Sequence, residues 1–407
     1  MSQTCIIIGA SHAAAQLAPS LRQEGWEGKI IVIGDEPFMP YHRPPLSKAV
    51  LSGEKNADDL HIRSQAMYDK VDVEFKLGCR VESINRAHKS ITLTSGEILN
   101  YDKLALCTGS RVRTVSLPGV ELAGIHYLRD LKDVQSIQKD VGEGKNAVIV
   151  GGGYIGLETA ASLKKMGMNV TVLEMAPRVL ARVTAPELSE FYTRVHSDEG
   201  VDIKTGIAVS GFEGGDQVER VVCADGTSFD ADLVVIGVGI IPNVELAEAA
   251  GITVENGIVV DEFARTNDPD IVASGDCANH HNKLYDIRLR LESVPNATDQ
   301  SKSAAASICG KDKAYQSLPW FWSDQYDLKL QIAGLSQGYD QVVIRGDKDR
   351  SRSFVAFYLK DGKLISADCV NRPQEFMLSK RLIAAGTPVD PDRLADESIA
   401  PKELVQA

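Results

Sequence analysis

Gly151, Gly153 and Gly156 stand in the stretch VGGGYIGLE, residues 150–158, and Glu174 closes the following apolar run, VTVLE. The spacing G-x-G-x-x-G gains force from its setting. The run NAVIV before it reads as a buried strand, and LETAASLKKMG after it carries small and apolar residues at helical intervals. Each glycine has a separate task. Gly151 permits the tight turn, Gly153 lets backbone approach a pyrophosphate, and Gly156 lets helix and strand pack closely. The helix N-terminus then offers N–H groups to the anion. Glu174, ending the second strand, is placed to accept hydrogen bonds from the adenosine 2′- and 3′-hydroxyls. A carboxylate there repels a 2′-phosphate, so NAD(H) is expected over NADP(H). The alternative is a purely structural βαβ unit with an incidental acid.

A weaker copy opens the chain. CIIIG reads as a strand, Gly9 opens its loop, and Ser11 and Ala14 occupy the second and third glycine positions. IIVIGD follows as a second strand, expected to end at Asp35. Two dinucleotide units imply two dinucleotides, one of them a flavin. A third segment, TNDPDIVASGDCA, reads as turn, strand, then Gly275 and Asp276. An acid at a strand end can hydrogen-bond the ribityl chain of FAD. Because this segment follows the second nucleotide unit, the first domain is expected to be interrupted and completed later.

The elements that must hold these residues need a sizeable frame. The 407 residues suggest two or three domains, and 43% hydrophobic content with 34 glycines fits an α/β protein rich in tight turns. A net charge of −12 argues against nucleic acid as a partner, while leaving room for a local basic docking patch. The seven cysteines, Cys5, Cys79, Cys107, Cys223, Cys277, Cys309 and Cys369, form no C-x-x-C pair, so a reduced, cytoplasmic setting is expected. The N-terminus lacks a basic region and its apolar run is too short for a signal peptide or a membrane span. No metal site is read from the sequence.

Further motifs extend through nearly the whole chain: YHRPPLSK (41–48), CTGSR (107–111), ARVTAPELSEFY (181–192), GVGIIPN (237–243), SGDCA (274–278), ESVPNATDQ (292–300), PWFWSDQY (319–326) and VNRPQEF (370–376). With VGGGYIGLE, this set resembles the FAD-dependent, NADH-oxidising ferredoxin reductases that serve bacterial oxygenases. Cys107 and Ser11 depart from the commoner residues of that pattern. The resemblance implies non-covalent FAD contacts from Gly9, Ser11, Ala13, Asp35, Lys48, Val81, Thr108, Arg129, Asp276 and Val294. It implies NADH contacts from Ile155, Glu158, Glu174, Arg182 and Gly239. It also implies a fold like that of glutathione reductase: two Rossmann-like α/β domains, for FAD and NAD, and a C-terminal α+β domain. The expected segments are 1–112 and 243–316 for FAD, 113–242 for NAD, and 317–407 for the last domain. In that last domain the runs KLQIAGL, QVVIRG, RSFVAFYL and LISADCV, then PQEFMLSKRLIAAG, read as an antiparallel sheet with a helix.

Lys48 follows the rigid RPPLS, where prolines fix the approach of the chain. A cation near flavin N5 and O4 would stabilise reduced, anionic flavin, and the resemblance puts Glu158 beside it as the second catalytic residue. The bland alternatives are a solvated helix lysine and an exposed helix acid. Asn296 is expected to cap a helix whose packed face is Ala297, Ser301, Ala304, Ala305 and Ile308. Lys302 falls off that face, as a docking cation for an acidic ferredoxin or an ordinary surface lysine. Arg288 and Arg290 alternate with apolar residues, which suits a strand with one basic face and the same two readings. Trp320 and Trp322 are either core anchors or a cover coupling the flavin to an iron–sulfur centre.

The activity implied is hydride transfer from NADH to FAD, then two single-electron steps to an acidic [2Fe-2S] ferredoxin in a transient complex, upstream of a P450 or Rieske-type oxygenase. A monomer or weak dimer is expected. Rubredoxin reductase shares the motifs and differs mainly in partner. A flavoprotein like apoptosis-inducing factor, sensing NADH through slow turnover, is the non-enzymatic reading. A disulfide reductase would need a cysteine pair that the sequence lacks.

Overall fold

The computed structural model describes residues 3–405. It divides the chain into two compact units, each assembled from three separate stretches. One contains the chain up to His42, Asp58–Arg111 and Ile240–Pro319; the other contains Arg43–Ala57, Val112–Gly239 and the chain from Trp320 onward.

The first unit is built on a five-stranded parallel sheet in the order Ile271–Ala273, Lys103–Leu106, Thr4–Ile8, Lys29–Ile33, Val73–Lys76. Its central strands are apolar on both faces, as parallel strands covered on both sides must be. Alternate residues serve opposite layers. Cys5, Ile7, Ile30 and Val32 pack under the helices His12–Gln23 and Val294–Ile308. Ile6, Ile8, Ile31 and Ile33 face the opposite core with Val81, Ile91 and Leu93, which belong to the antiparallel strands Val81–Asn85 and Ser90–Leu93. The two helices approach closely because alanines line the contact. Ala14, Ala18, Ala304 and Ala305 are all buried.

The second unit repeats the parallel arrangement. Its order is Asp202–Thr205, Asn169–Glu174, Asn146–Val150, Leu233–Ile236, Ile125–Tyr127. A separate five-stranded antiparallel sheet runs Trp320–Gln325, Leu328–Gly334, Lys363–Val370, Phe354–Lys360, Gln341–Gly346. Helix Pro373–Ala385 follows it, starting on a proline and stopping at Gly386 in the left-handed region, φ +61°. The α/β class with an added α+β segment is therefore as expected from the sequence. Trp320–Gln325 was not anticipated as a strand. Among the described residues no helix is long and apolar enough to cross a membrane.

Two local expectations need correction. The helix after ESVPNATDQ is capped by Ser293, whose Oγ accepts from Asn296 N–H at 3.2 Å, and not by Asn296. Pro295 has no N–H to give and a φ suited to the first turn, so the helix starts at Val294. The second strand of the first unit ends at Ile33 and not at Asp35. Gly34 follows the last paired residue at a place that admits only glycine: a Cβ there would lie 2.5 Å from that of Ala10.

One buried group gives this fold an acid limit. His280, in strand Ala278–Asn282, is sealed from solvent with neither ring nitrogen hydrogen-bonded, its ring edge-on to Tyr315 at 4.9 Å. Burial, with Arg288 and His281 adding repulsion, lowers its pKa to about 4. The folded state disfavours the charged ring, so its contribution is full above the unfolded value of about 6.5 and is lost as pH falls from there towards 4. His280→Leu should flatten the loss of unfolding free energy over that window by about 3 kcal/mol. Denaturant titrations of both proteins at pH 7 and pH 4.5 would show it, and equal losses in the two would contradict it.

Candidate active site

The two glycine turns match bond for bond. Gly9 N–H donates to Ile33 O at 2.8 Å and has φ +109°; Gly151 N–H donates to Leu173 O at 2.8 Å and has φ +111°. Cys107 N–H donates to Ile8 O and Gly237 N–H to Val150 O, both at 2.8 Å. At each turn backbone crosses backbone without room for a side chain. A Cβ on Gly9 would sit 2.1 Å from Cys107 O, and one on Gly151 would sit 2.4 Å from Gly237 O. Only glycine adopts that φ without strain. Each turn lies at the carboxyl end of a central strand, between neighbours reached in opposite directions along the sheet, where α/β sheets bind ligands.

In the second unit Gly153 precedes helix Tyr154–Lys165 and nothing lies within 4 Å of where its Cβ would be. Gly156 is tight instead, its Cβ position 2.1 Å from Gly151 O. One glycine thus keeps space open over a helix N-terminus while the other allows packing behind it. This combination fits a pyrophosphate. Glu174 is the last residue of its strand. Its Oε2 accepts from Gly152 N–H at 2.6 Å and its Oε1 from Ala176 N–H at 2.7 Å. The carboxylate is held at the turn with acceptor capacity left for hydroxyl donors. Ile155 keeps 47% of its surface exposed beside the open turn. Arg182 Nη2 comes within 3.8 Å of the Cβ position of Gly239.

In the first unit Ala13 is buried and meets the turn of the third segment: a Cβ on Gly275 would lie 3.2 Å from Ala13 Cβ. Asp276 Oδ2 accepts from Ser110 Oγ at 2.9 Å, and Thr108 Oγ1 donates to Asn243 O at 2.6 Å. Gln300 Oε1 accepts from Gly275 N–H, while its Nε2 is buried with no protein partner. A ligand oxygen would satisfy that donor, so the residues present fit an anionic dinucleotide here as well. Val294 opens the Ser293-capped helix and Val81 opens its strand, buried. The backbone register matches Gly34, and not Asp35, to the position of Glu174; Asp35 lies one residue further and is exposed.

Lys48 and Glu158 come together. Lys48 Nζ donates to Glu158 Oε2 at 2.6 Å. The side chains are 20% and 3% exposed, so neither is a solvated surface charge. Lys48 follows the 3-10 turn Pro44–Ser47 and also donates to Pro44 O at 2.9 Å. Ser47 Oγ donates to Glu158 Oε2 and Ser323 Oγ to Oε1, each at 2.6 Å. A buried carboxylate is tolerable only with such donors. Arg129 is fixed through its backbone, accepting from Arg43 Nη1 and donating to Asp133 Oδ2.

The proposed docking residues have different surroundings. Lys302 is 55% exposed and paired with Asp299 at 2.8 Å. Arg288 is exposed and donates to Asn279 O at 3.0 Å. Arg290 is not a surface cation. It is 9% exposed, donates to Asp276 O, and pairs with Glu292 at 2.6 Å. The expectation of one basic strand face fails because the strand ends at Leu289 and Arg290 turns inward. Trp320 and Trp322 stack at 5.6 Å with Lys380 over Trp320, and both are partly exposed. Sequence reasoning missed Ser47, Ser323, Gln325 and His196. For the strand pair a signal existed: Ser323 and Gln325 alternate within WFWSDQ and so share a face.

Residues 3–301 match the model of the pyridine nucleotide-disulphide oxidoreductase family, and residues 320–405 match a reductase C-terminal domain. The chain is 45% identical to putidaredoxin reductase CamA of Pseudomonas putida, over 99% of this chain and 96% of the relative. Among solved structures, the reductase in a covalent putidaredoxin reductase–putidaredoxin complex superposes with a TM-score of 0.96 at 44% identity, covering 99% of this chain and 98% of that one. A ferredoxin reductase for the CYP199A2 system of Rhodopseudomonas palustris gives 0.95 at 42% identity, covering 98% and 99%.

Gly153 and Gly156 should respond in opposite ways to alanine. Gly153→Ala has space and an ordinary φ of −81°, so stability should change by less than about 1 kcal/mol while the Kd for NADH rises at least roughly tenfold through lost approach to phosphate. Gly156→Ala should cost several kcal/mol, about 3 or more, because the clash is with backbone. Thermal unfolding and NADH titration of the two variants check both arms.

Proposed function

The chain belongs to the pyridine nucleotide-disulphide oxidoreductase family, and we propose that it passes electrons from NADH through FAD, one at a time, to a [2Fe-2S] ferredoxin that feeds a cytochrome P450 or Rieske-type oxygenase. The observation that carries the acceptor class is the state of the cysteines. All seven are free, and five of them are buried. Burial pushes the Cys277 thiol up, and the Cys107 thiol up to about 12, far from the reactive range. A member of this family that reduces disulfides needs a reactive cysteine pair, so electrons must leave this protein by another route. The solved putidaredoxin complex and the reductase of the CYP199A2 system support a ferredoxin as that acceptor.

FAD, when bound, takes up two electrons together and gives them up singly. The protein's part is binding, orientation and charge. Gly9, Ser11, Ala13, Asp35, Val81, Thr108, Arg129, Asp276 and Val294 hold the flavin nucleotide. Gly151, Gly153 and Gly156 admit the pyrophosphate of NADH, Glu174 takes its ribose hydroxyls, and Ile155, Arg182 and Gly239 flank the coenzyme. Lys48 supplies a fixed cation that favours negative charge on the reduced ring. Glu158 keeps the ammonium in place and is itself held by three donors. Lys302 and Arg288 provide positive charge for an acidic partner on a chain of net charge −12. The reduced cysteines suit work in the cytoplasm.

Cytochrome c reduction with NADH and a panel of carriers tests the acceptor: [2Fe-2S] ferredoxins should support turnover at low micromolar levels and rubredoxins should not. Preference for a rubredoxin would transfer the protein to that class of reductase. Lys48→Met should retain FAD but slow its reduction by NADH at least tenfold in stopped-flow traces. A trace like the parent's would make Lys48 a bystander. Lys302→Glu should raise the KM for ferredoxin severalfold and leave ferricyanide reduction unchanged, since ferricyanide needs no docking surface. Equal loss of both activities would assign Lys302 to the flavin site.

A further inference from the structure

A file of side chains with no assigned role leads away from Glu158 through the second unit. Ser323 Oγ donates to Glu158 Oε1 at 2.6 Å, and Gln325 Nε2 donates to Ser323 Oγ at 3.2 Å. His196 Nε2 meets Gln325 Oε1 at 2.8 Å, and Tyr326 OH meets His196 Nδ1 at 3.1 Å. Ser323, Gln325 and His196 are each buried. They come from distant parts of the chain, the first two from strand Trp320–Gln325 and the third from helix Pro186–Asp198.

The direction of every bond follows from the ends. An ionised carboxylate can only accept, so Ser323 must donate to it. The Ser323 lone pairs then accept from the amide nitrogen of Gln325, which leaves the amide oxygen to accept from His196. Burial lowers the pKa of His196, so the ring is neutral and owns one N–H. That N–H is on Nε2, and Nδ1 accepts from Tyr326. All four bonds therefore point the same way, towards Glu158, and hydrogen bonds so aligned polarise one another.

We propose that Ser323, Gln325 and His196 are positioning residues for electron entry, acting through Glu158 to hold its carboxylate turned to Lys48. This rests on the reading of Lys48 and Glu158 as the catalytic pair. The titratable groups that interact with Glu158 are Lys48, Tyr154 on its own helix and Tyr192 on helix Pro186–Asp198; Asp368 on strand Lys363–Val370 acts on both tyrosines and Asp324 on Tyr192. Around His196 stand Tyr326 and Glu199, the latter paired with Arg352 at 2.6 Å.

Removing a donor from a carboxylate favours its protonated form, so activity that needs the ionised form is lost at higher pH. Ser323→Ala should move the acid limb of the pH profile for flavin reduction by NADH upward by about one pH unit. The pH at which the bound flavin's midpoint potential changes slope should move with it. Gln325→Glu, which replaces the donor by an acceptor at nearly constant volume, should shift both readouts the same way. Ser323→Thr keeps the hydroxyl and should restore the parent profile. A shift in Ser323→Ala with none in Gln325→Glu would end the file at Ser323 and overturn the proposal, as would parent profiles in both. Glu158→Gln separates the two levels. If that variant has the parent's rate and potential, the catalytic pair itself is misread; if it is impaired while the other two are not, only the positioning role falls.

Discussion

Two places where backbone crosses backbone without room for a side chain govern this molecule, one over Cys107 and one over Gly237. Each crossing requires a glycine with φ near +110° and fixes three strands at once: the one it ends, the one whose carbonyl its N–H meets, and the one it crosses. The helix that follows must begin at the edge of the sheet, with its N–H groups facing outward. Space for a dinucleotide is then a by-product of chain geometry and needs few side chains. The equivalence of the two turns extends to individual hydrogen bonds although only one has the full glycine spacing. Ser11 and Ala14 suffice in the first because the forbidden contact lies at Gly9 alone.

The buried Lys48–Glu158 pair depends on a different principle. Taking a carboxylate out of water costs several kcal/mol, and the Glu158 charge is offset by Lys48 and two hydroxyls at short range. The lysine is reached through a proline-stiffened turn and the hydroxyls through a strand and that same turn. Charge-assisted bonds of this length reward one geometry strongly and its neighbours weakly. A side chain in a fluid setting could not hold its charge in one place; one tied at three points can.

How much of this could be read in the sequence depends on the range of the interaction. The Gly151 turn and the place of Glu174 at the end of its strand were legible because both lie within one βαβ unit. The Ala297, Ser301, Ala304 and Ile308 face was legible because helical periodicity is local, and all four are buried. Its cap was not. Ser293 and Asn296 are both good caps, and the choice turned on Pro295. Asp35 was misplaced because an apolar run does not announce its last paired residue, which is Ile33. Arg290 looked like half of a basic face until its pairing with Glu292 and Asp276 O was visible. Ser323 and Gln325 showed only that they share a strand face, and His196 was out of reach altogether, since it acquires meaning only beside a strand far away in the chain. The lack of a cysteine pair was legible at once and did more than any other single observation to narrow the acceptor.

Each compact unit is assembled from three stretches of chain, interleaved. This has a consequence for biosynthesis. A ribosome releases the strand Thr4–Ile8 long before its sheet can be completed by Ile271–Ala273. The segment Arg43–Ala57 must likewise wait for everything after Trp320. Neither core can be finished before the stretch Ile240–Pro319 has been made, so apolar strands such as CIIIG and KIIVI stay uncovered through most of translation. Such a chain depends on shielding while it is made, and termination before the stretch Ile240–Pro319 is complete leaves both units unfinished and their apolar strands uncovered. The interleaving that draws each unit from distant stretches thus delays both cores to the later part of synthesis.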